Sequence, residues 1–207
     1  MTTRDISIAI GEGTPEWPGD TPFSCNWTWR IARGDSVNVS EISSSPHVGT
    51  HADAPLHVRD EWPASHDLPL EPFLGRAFVL GVDPSLPFIE PAQLAALPSG
   101  PIERLLLRTG RSIAGGSFPG AWPSLSDAAL GLLLSRGLRL LGVDAPSIDP
   151  RTSTALDIHK ALFGAGAFNI ENLDLRAVED GEYELIAPPL KLLSADAAPL
   201  RALLRAI

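Results

Sequence analysis

The segment Ser45-Pro46-His47-Val48-Gly49-Thr50-His51-Ala52-Asp53-Ala54-Pro55-Leu56-His57 constrains the fold more than any other stretch. It gathers three of the five histidines and an aspartate into eleven residues, punctuated by Pro46, Gly49 and Pro55. His47, His51, Asp53 and His57 differ by even numbers, so an extended strand would line them on one face. At ~3.3 Å per residue, however, such a strand would hold His47 and Asp53 about 20 Å apart. A helix would stack His47 on His51 and Asp53 on His57, yet Pro55 interferes with a continuous helix through all four. The segment must bend, and Gly49 is the natural hinge.

Imidazole nitrogen and carboxylate oxygen at this density point to a metal site. The donor set suits zinc, manganese or iron, and the absence of cysteine ligands argues for a catalytic rather than a closed structural site. A carboxylate can also bridge two metals about 3.5–4 Å apart, an arrangement that ionises a water.

Around this segment the chain reads as an α/β protein. Ile6 to Ile10 is expected as a strand, followed by an irregular loop over Gly11 to Pro22 with three prolines and three glycines. Trp17 in that loop is either a lid packed on the core or a flat wall for a ring-bearing substrate. Asn26 to Ala32 and Val37 to Ile42 read as strands of a hairpin turning at Gly34-Asp35. Arg59 to Pro72 reads as a second long loop, with His66 an ordinary surface histidine. Strands are expected over Arg76 to Asp83, Ile102 to Thr109 and Leu138 to Val143, with a short helix over Pro91 to Leu97. A helix capped by Ser124 or Ser126 and closed by Gly137 completes a right-handed βαβ unit. Asp144-Ala145-Pro146-Ser147 then sits at the carboxyl end of a strand, where α/β proteins place ligand sites.

Further on, Thr152 to Thr154 starts a short helix bearing Leu156, His159 and Leu162, and Ala167 to Ile170 is a strand ending in Glu171-Asn172. Helix, glycine turn and strand together offer a way to bring His159 and Glu171 back to one point. On the residues alone, His159 is a partly buried histidine of an amphipathic segment and Glu171 an acid closing an apolar strand. Glu184 to Ala187 and Lys191 to Leu193 look strand-like, and Leu200 to Ile207 is strand or helix.

Sixteen basic against twenty-five acidic residues leave a formal net charge of −9, which disfavours nucleic acid and anionic membrane surfaces. No apolar run approaches the ~20 residues a bilayer span needs. The amino-terminal Met1-Thr2-Thr3-Arg4-Asp5 lacks the apolar core of a signal peptide, and the lone Cys25, read as a small buried hydrophobe, suits a reducing cytoplasm. At 207 residues with no break in composition, one domain over residues 1–207 is expected.

The run His47-x-Gly49-Thr50-His51-x-Asp53-Ala54-Pro55-x-His57 resembles the signature of the cyclase-like metal-dependent hydrolases, in particular the bacterial kynurenine formamidases. The resemblance continues in Trp17-Pro18-Gly19-Asp20, Gly142-Val143-Asp144, Ser147-Ile148-Asp149, His159, Ile170-Glu171-Asn172-Leu173 and Leu190-Lys191-Leu192. It implies a single-domain swivelling β/β/α fold with a mixed, partly barrel-like sheet and short flanking helices. It also implies that His47, His51 and Asp53 bind one zinc, that Asp53 and Glu171 bridge to a second, and that His159 completes the second site. Manganese or another divalent ion is an alternative to zinc. His57 would donate and accept the proton, and Trp17 would contact the aromatic part of the substrate. The implied protein is a homodimer that hydrolyses N-formyl-L-kynurenine in tryptophan degradation, and the exposed aromatic loops around Trp17, Trp62 and Trp122 are reasonable places for a partner to cover. The alternatives are another amide or lactone hydrolase, such as an isatin hydrolase, and a catalytically silent metal-binding homologue.

Overall fold

A computed structural model describes residues 2–207. The chain begins with β1 (Thr3–Asp5), the hairpin strands β2 (Ser24–Trp29) and β3 (Val39–Ser43), the short β4 (His51–Asp53) and the long β5 (Leu74–Gly81). Next come β6 (Phe88–Ile89), β7 (Arg104–Arg108), β8 (Ser124–Leu125), helix α1 (Asp127–Ser135) and β9 (Leu140–Val143). Helix α2 (Asp157–Gly164), β10 (Phe168–Ile170), β11 (Gly181–Ile186), β12 (Ala197–Pro199) and β13 (Leu203–Ala206) follow.

Seven strands form one mixed sheet in the order β1-β13-β11-β5-β7-β9-β10. The run β5, β7, β9, β10 is parallel, and the other neighbours are antiparallel. Central strand β7 is apolar at successive positions because both faces are covered. Leu105 and Leu107 enter one core with α1 and Trp122, while Leu106 enters the other with Phe73 and Leu204. The expected βαβ unit is present as β7-α1-β9, with adjacent parallel strands and Ser126 capping α1 through the Ala129 amide.

Four expectations need correction. The first strand ends at Asp5, because Ile6 bonds to Ala202 and Ser7 bridges to Leu173, so the chain changes partners instead of extending one ladder. Helix α2 starts at Asp157, since Leu156 takes left-handed dihedrals (φ 51°, ψ 50°) that interrupt any earlier turn. Residues 191–193 lie outside every strand, with Leu193 79 % exposed, so their leucines face no core. Trp122, expected on an exposed loop, is buried and donates its indole N–H to the Asp149 carbonyl at 2.8 Å.

What positions the site is a crossing at the sheet's β10 edge. Strand β4 pairs with β12, and His51 and Glu171 exchange backbone hydrogen bonds. That bridge brings the histidine-rich segment and the end of β10 together across 120 positions of sequence.

Candidate metal centre and active site

Gly49 bends the chain as expected, with φ +74° and no room for a side chain: a Cβ there would lie 2.6 Å from Ile10 Cγ1. Thr50 pins the bend, its hydroxyl donating to Asn172 O and accepting from the Ile8 amide. The bend turns His47 back towards β4. His47 Nδ1 and His51 Nε2 lie 3.1 Å apart, and they stand 3.0 and 3.2 Å from Asp53 Oδ1. None of these contacts satisfies Asp53 Oδ1, which is buried without a hydrogen bond.

A second group shares the same carboxylate. His159 Nε2, carried inward by α2, stands 3.1 Å from Asp53 Oδ2 and 3.1 Å from Glu171 Oε1. Asn169 donates to both Asp53 Oδ2 (2.6 Å) and Glu171 Oε1 (3.2 Å), and the Ile148 amide donates to Glu171 Oε1 at 2.8 Å.

The outward nitrogens of the histidines are each held by an acceptor. His51 Nδ1 donates to Gly49 O (2.9 Å), His159 Nδ1 to Asp149 Oδ2 (2.6 Å) and His47 Nε2 to Asp196 Oδ2 (3.0 Å). A carbonyl or carboxylate can only accept, so the proton sits on the outward nitrogen and the inward one is free to ligate, the pattern of metal-binding imidazoles. Tetrahedral coordination with bonds of about 2.0–2.2 Å separates ligands by about 3.3–3.6 Å. The donor separations are a few tenths of an ångström from this, and Asp53 Oδ1, buried without a hydrogen-bond partner, is suited to ligate a cation. The residues fit a divalent metal, in one group or both.

Electrostatics agree. Burial would raise the Asp53 carboxyl, but the charge of His51 and contacts with His159 and His47 hold it well below its ordinary value. Burial would lower His47, yet Asp196 and Asp53 beside the ring outweigh it and push it up to about 10. His159 is likewise driven well above its usual value, with burial overcome by Asp149, Asp53 and Glu171. Carboxylates kept ionised out of water demand positive charge. Without metal, protons on the histidines supply it.

His57 follows β4 on a short turn begun by Pro55, at the rim of both groups. Its ring centroid is 4.5 Å from that of His47 and 5.8 Å from that of His159, and Nδ1 lies 3.4 Å from Asp196 Oδ2. Above it opens a cavity of about 430 Å³ lined by Trp17, Phe118, His47, His57, Glu171 and Asp196 among others. Trp17 is 37 % exposed and stands edge-on to Phe118 and Trp122 at 5.5 and 6.0 Å, so it is both a packed aromatic and a cavity wall. All seven sequence candidates are therefore at one place. His66 lies apart, half-exposed beside Asp67 and Ser194, and Cys25 is half-buried on β2.

Sequence reasoning assigned no role to Asp149, Asn169 or Asp196. Asp149 stood inside a quoted motif, and the structure shows it accepting from the Ile158 and His159 amides, capping α2, as well as from the His159 ring. Asn169 lies on β10 two residues before Glu171, on the same face of the strand, which was its available signal. Asp196 precedes β12 with no motif around it and reads in sequence as a surface acid.

A family model described as "Putative cyclase" matches residues 4–150. A protein named kynurenine formamidase from Bordetella avium (strain 197N) is 45 % identical over 201 residues, covering 97 % of this chain and 96 % of its own. Its counterpart of the same name from Salinibacter ruber (strain DSM 13855 / M31) is 41 % identical over 209 residues, covering 99 % and 98 %. A solved structure described as a "predicted metal-dependent hydrolase from Bacillus stearothermophilus" superposes with a TM-score of 0.82 at 29 % identity, covering 98 % of this chain and 97 % of that one. Family match and full-length identity agree with the metal-fitting site: the chain belongs to the cyclase family of metal-dependent hydrolases.

Proposed function

We propose that the protein is a metal-dependent kynurenine formamidase, which hydrolyses N-formyl-L-kynurenine to L-kynurenine and formate. The carrying observation is the convergence of His47, His51, Asp53, His159 and Glu171 beneath a cavity walled by Trp17 and Phe118, with His57 at its rim. Full-length likeness to proteins named for that reaction supports the choice of substrate.

In this reading His47, His51 and Asp53 would hold one zinc, and Asp53, His159 and Glu171 would hold a second. Two such cations would supply an ionised water and positive charge where negative charge develops on the substrate oxygen. Trp17 and Phe118 wall one side of the cavity and would contact the aryl ring, so that the formyl carbon faces the metal groups. As the water oxygen adds to that carbon, the inward nitrogen of His57 takes the proton that the water gives up. It passes this proton to the aniline nitrogen as the C–N bond breaks, releasing amine and formate.

The remaining elements of the reading concern the whole chain. Residues 1–207 act as one hydrolase domain, supported by two cores that share one sheet. The setting is the cytoplasm, where an unpaired Cys25 stays reduced; among the described residues no helix is long and apolar enough to cross a membrane. The protein pairs as a homodimer. The β2–β3 hairpin supports this, for among the described residues its strands pair only with each other and it exposes Trp27, Trp29, Ile31 and Ile42.

The test is loss of N-formylkynurenine absorbance on adding protein of measured metal content, with isatin as the control substrate. Turnover of the formamide alone is the expected result. Hydrolysis of isatin instead would make it a lactam hydrolase, and inactivity towards both at full metal load would make it a silent metal-binding homologue.

A further inference from the structure

Asp196 is the one acid at the cavity that touches both kinds of histidine. Its Oδ2 lies 3.0 Å from Nε2 of His47, the first metal group's histidine, and 3.4 Å from Nδ1 of His57, the histidine assigned to proton transfer. The two ring centroids lie 4.5 Å apart, with the ring planes tilted by 47°. The Asp196 carbonyl accepts from the Ala54 amide, so its backbone is tied to the same β4 segment that carries the histidines.

We propose that Asp196 is a positioning residue that fixes the tautomers of His47 and His57 together. The proposal rests on the formamidase reading for His57's role and on geometry for the rest. A carboxylate accepts from both rings, so the proton of each is held on the outward nitrogen. His47 Nδ1 is left with its lone pair towards Asp53 and the metal group. For His57 the inward nitrogen Nε2 becomes the one that takes and returns the proton. Free imidazole favours the opposite Nε2–H form, so without Asp196 the wrong tautomer would hold the working nitrogen. One carboxylate thereby ties the first metal group to the acid–base group, and a shift of either ring is felt by the other.

The decisive measurement is the ¹⁵N spectrum of histidine-labelled protein kept metal-free with chelator, at a pH where His57 is neutral. Wild type should show His57 as the Nδ1–H tautomer, and Asp196→Ala should turn most of it to Nε2–H. Asp196→Asn, nearly isosteric but able to turn an N–H donor towards Nδ1, should likewise move His57 towards Nε2–H and covers the case that the alanine variant folds poorly. An Nε2–H tautomer in wild type, or no change in Asp196→Ala, overturns the proposal. Chelator competition should show metal binding weakened about 10–100-fold in Asp196→Ala. At metal saturation kcat should fall at least tenfold with KM within twofold, whereas in a His57→Ala background the same substitution should cost less than twofold in kcat. Equal losses in both backgrounds would refute action through His57. Three bound ions per chain, falling to two in Asp196→Ala, would make Asp196 a ligand instead. If wild type fails to hydrolyse the formamide, the functional reading falls, while the tautomer and metal measurements still decide this one.

Discussion

Two histidines of one motif, His51 and His57, differ in what surrounds them, and that difference predicts separable mutants. His51 is buried within the first metal group, whereas His57 has a side chain 29 % exposed and offers no atom to either Asp53 group. Asp53 serves both groups, so Asp53→Ala should lose bound metal and activity together. His57→Ala should keep its metal and lose about 10²–10⁴-fold in kcat, the usual worth of a general acid–base group. Elemental analysis beside turnover checks both, and equal metal loss in the two variants would remove His57 from proton transfer. Trp17→Ala is expected to raise KM several-fold with kcat changed little, since a wall contributes binding more than bond-breaking. An unaltered KM would leave Trp17 as packing for Phe118 and Trp122. At this scale the motif residues were legible because their types are rare and dense in the sequence. Asp149 and Asp196 were not, because what they do depends on which imidazole nitrogen a distant backbone turns towards them.

Strand β9 shows how an element's sequence is set by its neighbours on both faces. Leu141 and Val143 enter one core and Leu140 the other, and Gly142 lies where Leu106 of β7 and Leu173 close over the backbone. A Cβ on Gly142 would come within 2.4 Å of Leu106 Cδ2 and 2.9 Å of Leu173 Cδ1. Gly142→Ala should therefore destabilise the protein by about 1–3 kcal/mol through overpacking, read as a lower denaturation midpoint at an unchanged slope. Stability equal to wild type would mean that the two leucines repack freely. The parallel strands and α1 were readable in sequence because buried parallel strands carry unbroken apolar runs and the helix carries a cap. Ile6 to Ile10 and residues 191–193 misled for a common reason: an apolar pattern reports which residues could be covered, not whether a partner ladder lies alongside. Ile6 is buried yet changes partners, and Leu193 has nothing above it.

Folding of the whole molecule joins acids and histidines that are remote in sequence, and stability must therefore depend on pH and metal jointly. Without metal, His47 rises on folding from an ordinary value of 6.5 to about 10, and His159 also rises. Between those limits the folded chain binds more protons than the unfolded one, so the stabilisation is full below pH 6.5 and is lost as pH rises through about 10. Each such histidine contributes a slope of up to about 1.4 kcal/mol per pH unit. The carboxylates act at the other end: Asp53, Asp149 and Asp196 are depressed on folding, so their contribution is present above 3.8 and lost as pH falls through their lower folded values. Metal reverses the alkaline arm, because binding strips the histidine protons and strengthens as pH rises. Melting temperatures with chelator should accordingly drop from pH 7 to pH 9, while those at saturating metal should hold or rise over the same interval. Parallel curves would mean that His47 and His159 do not exchange protons for metal, and the two groups around Asp53 would then be an ion-pair network of the fold rather than a metal centre.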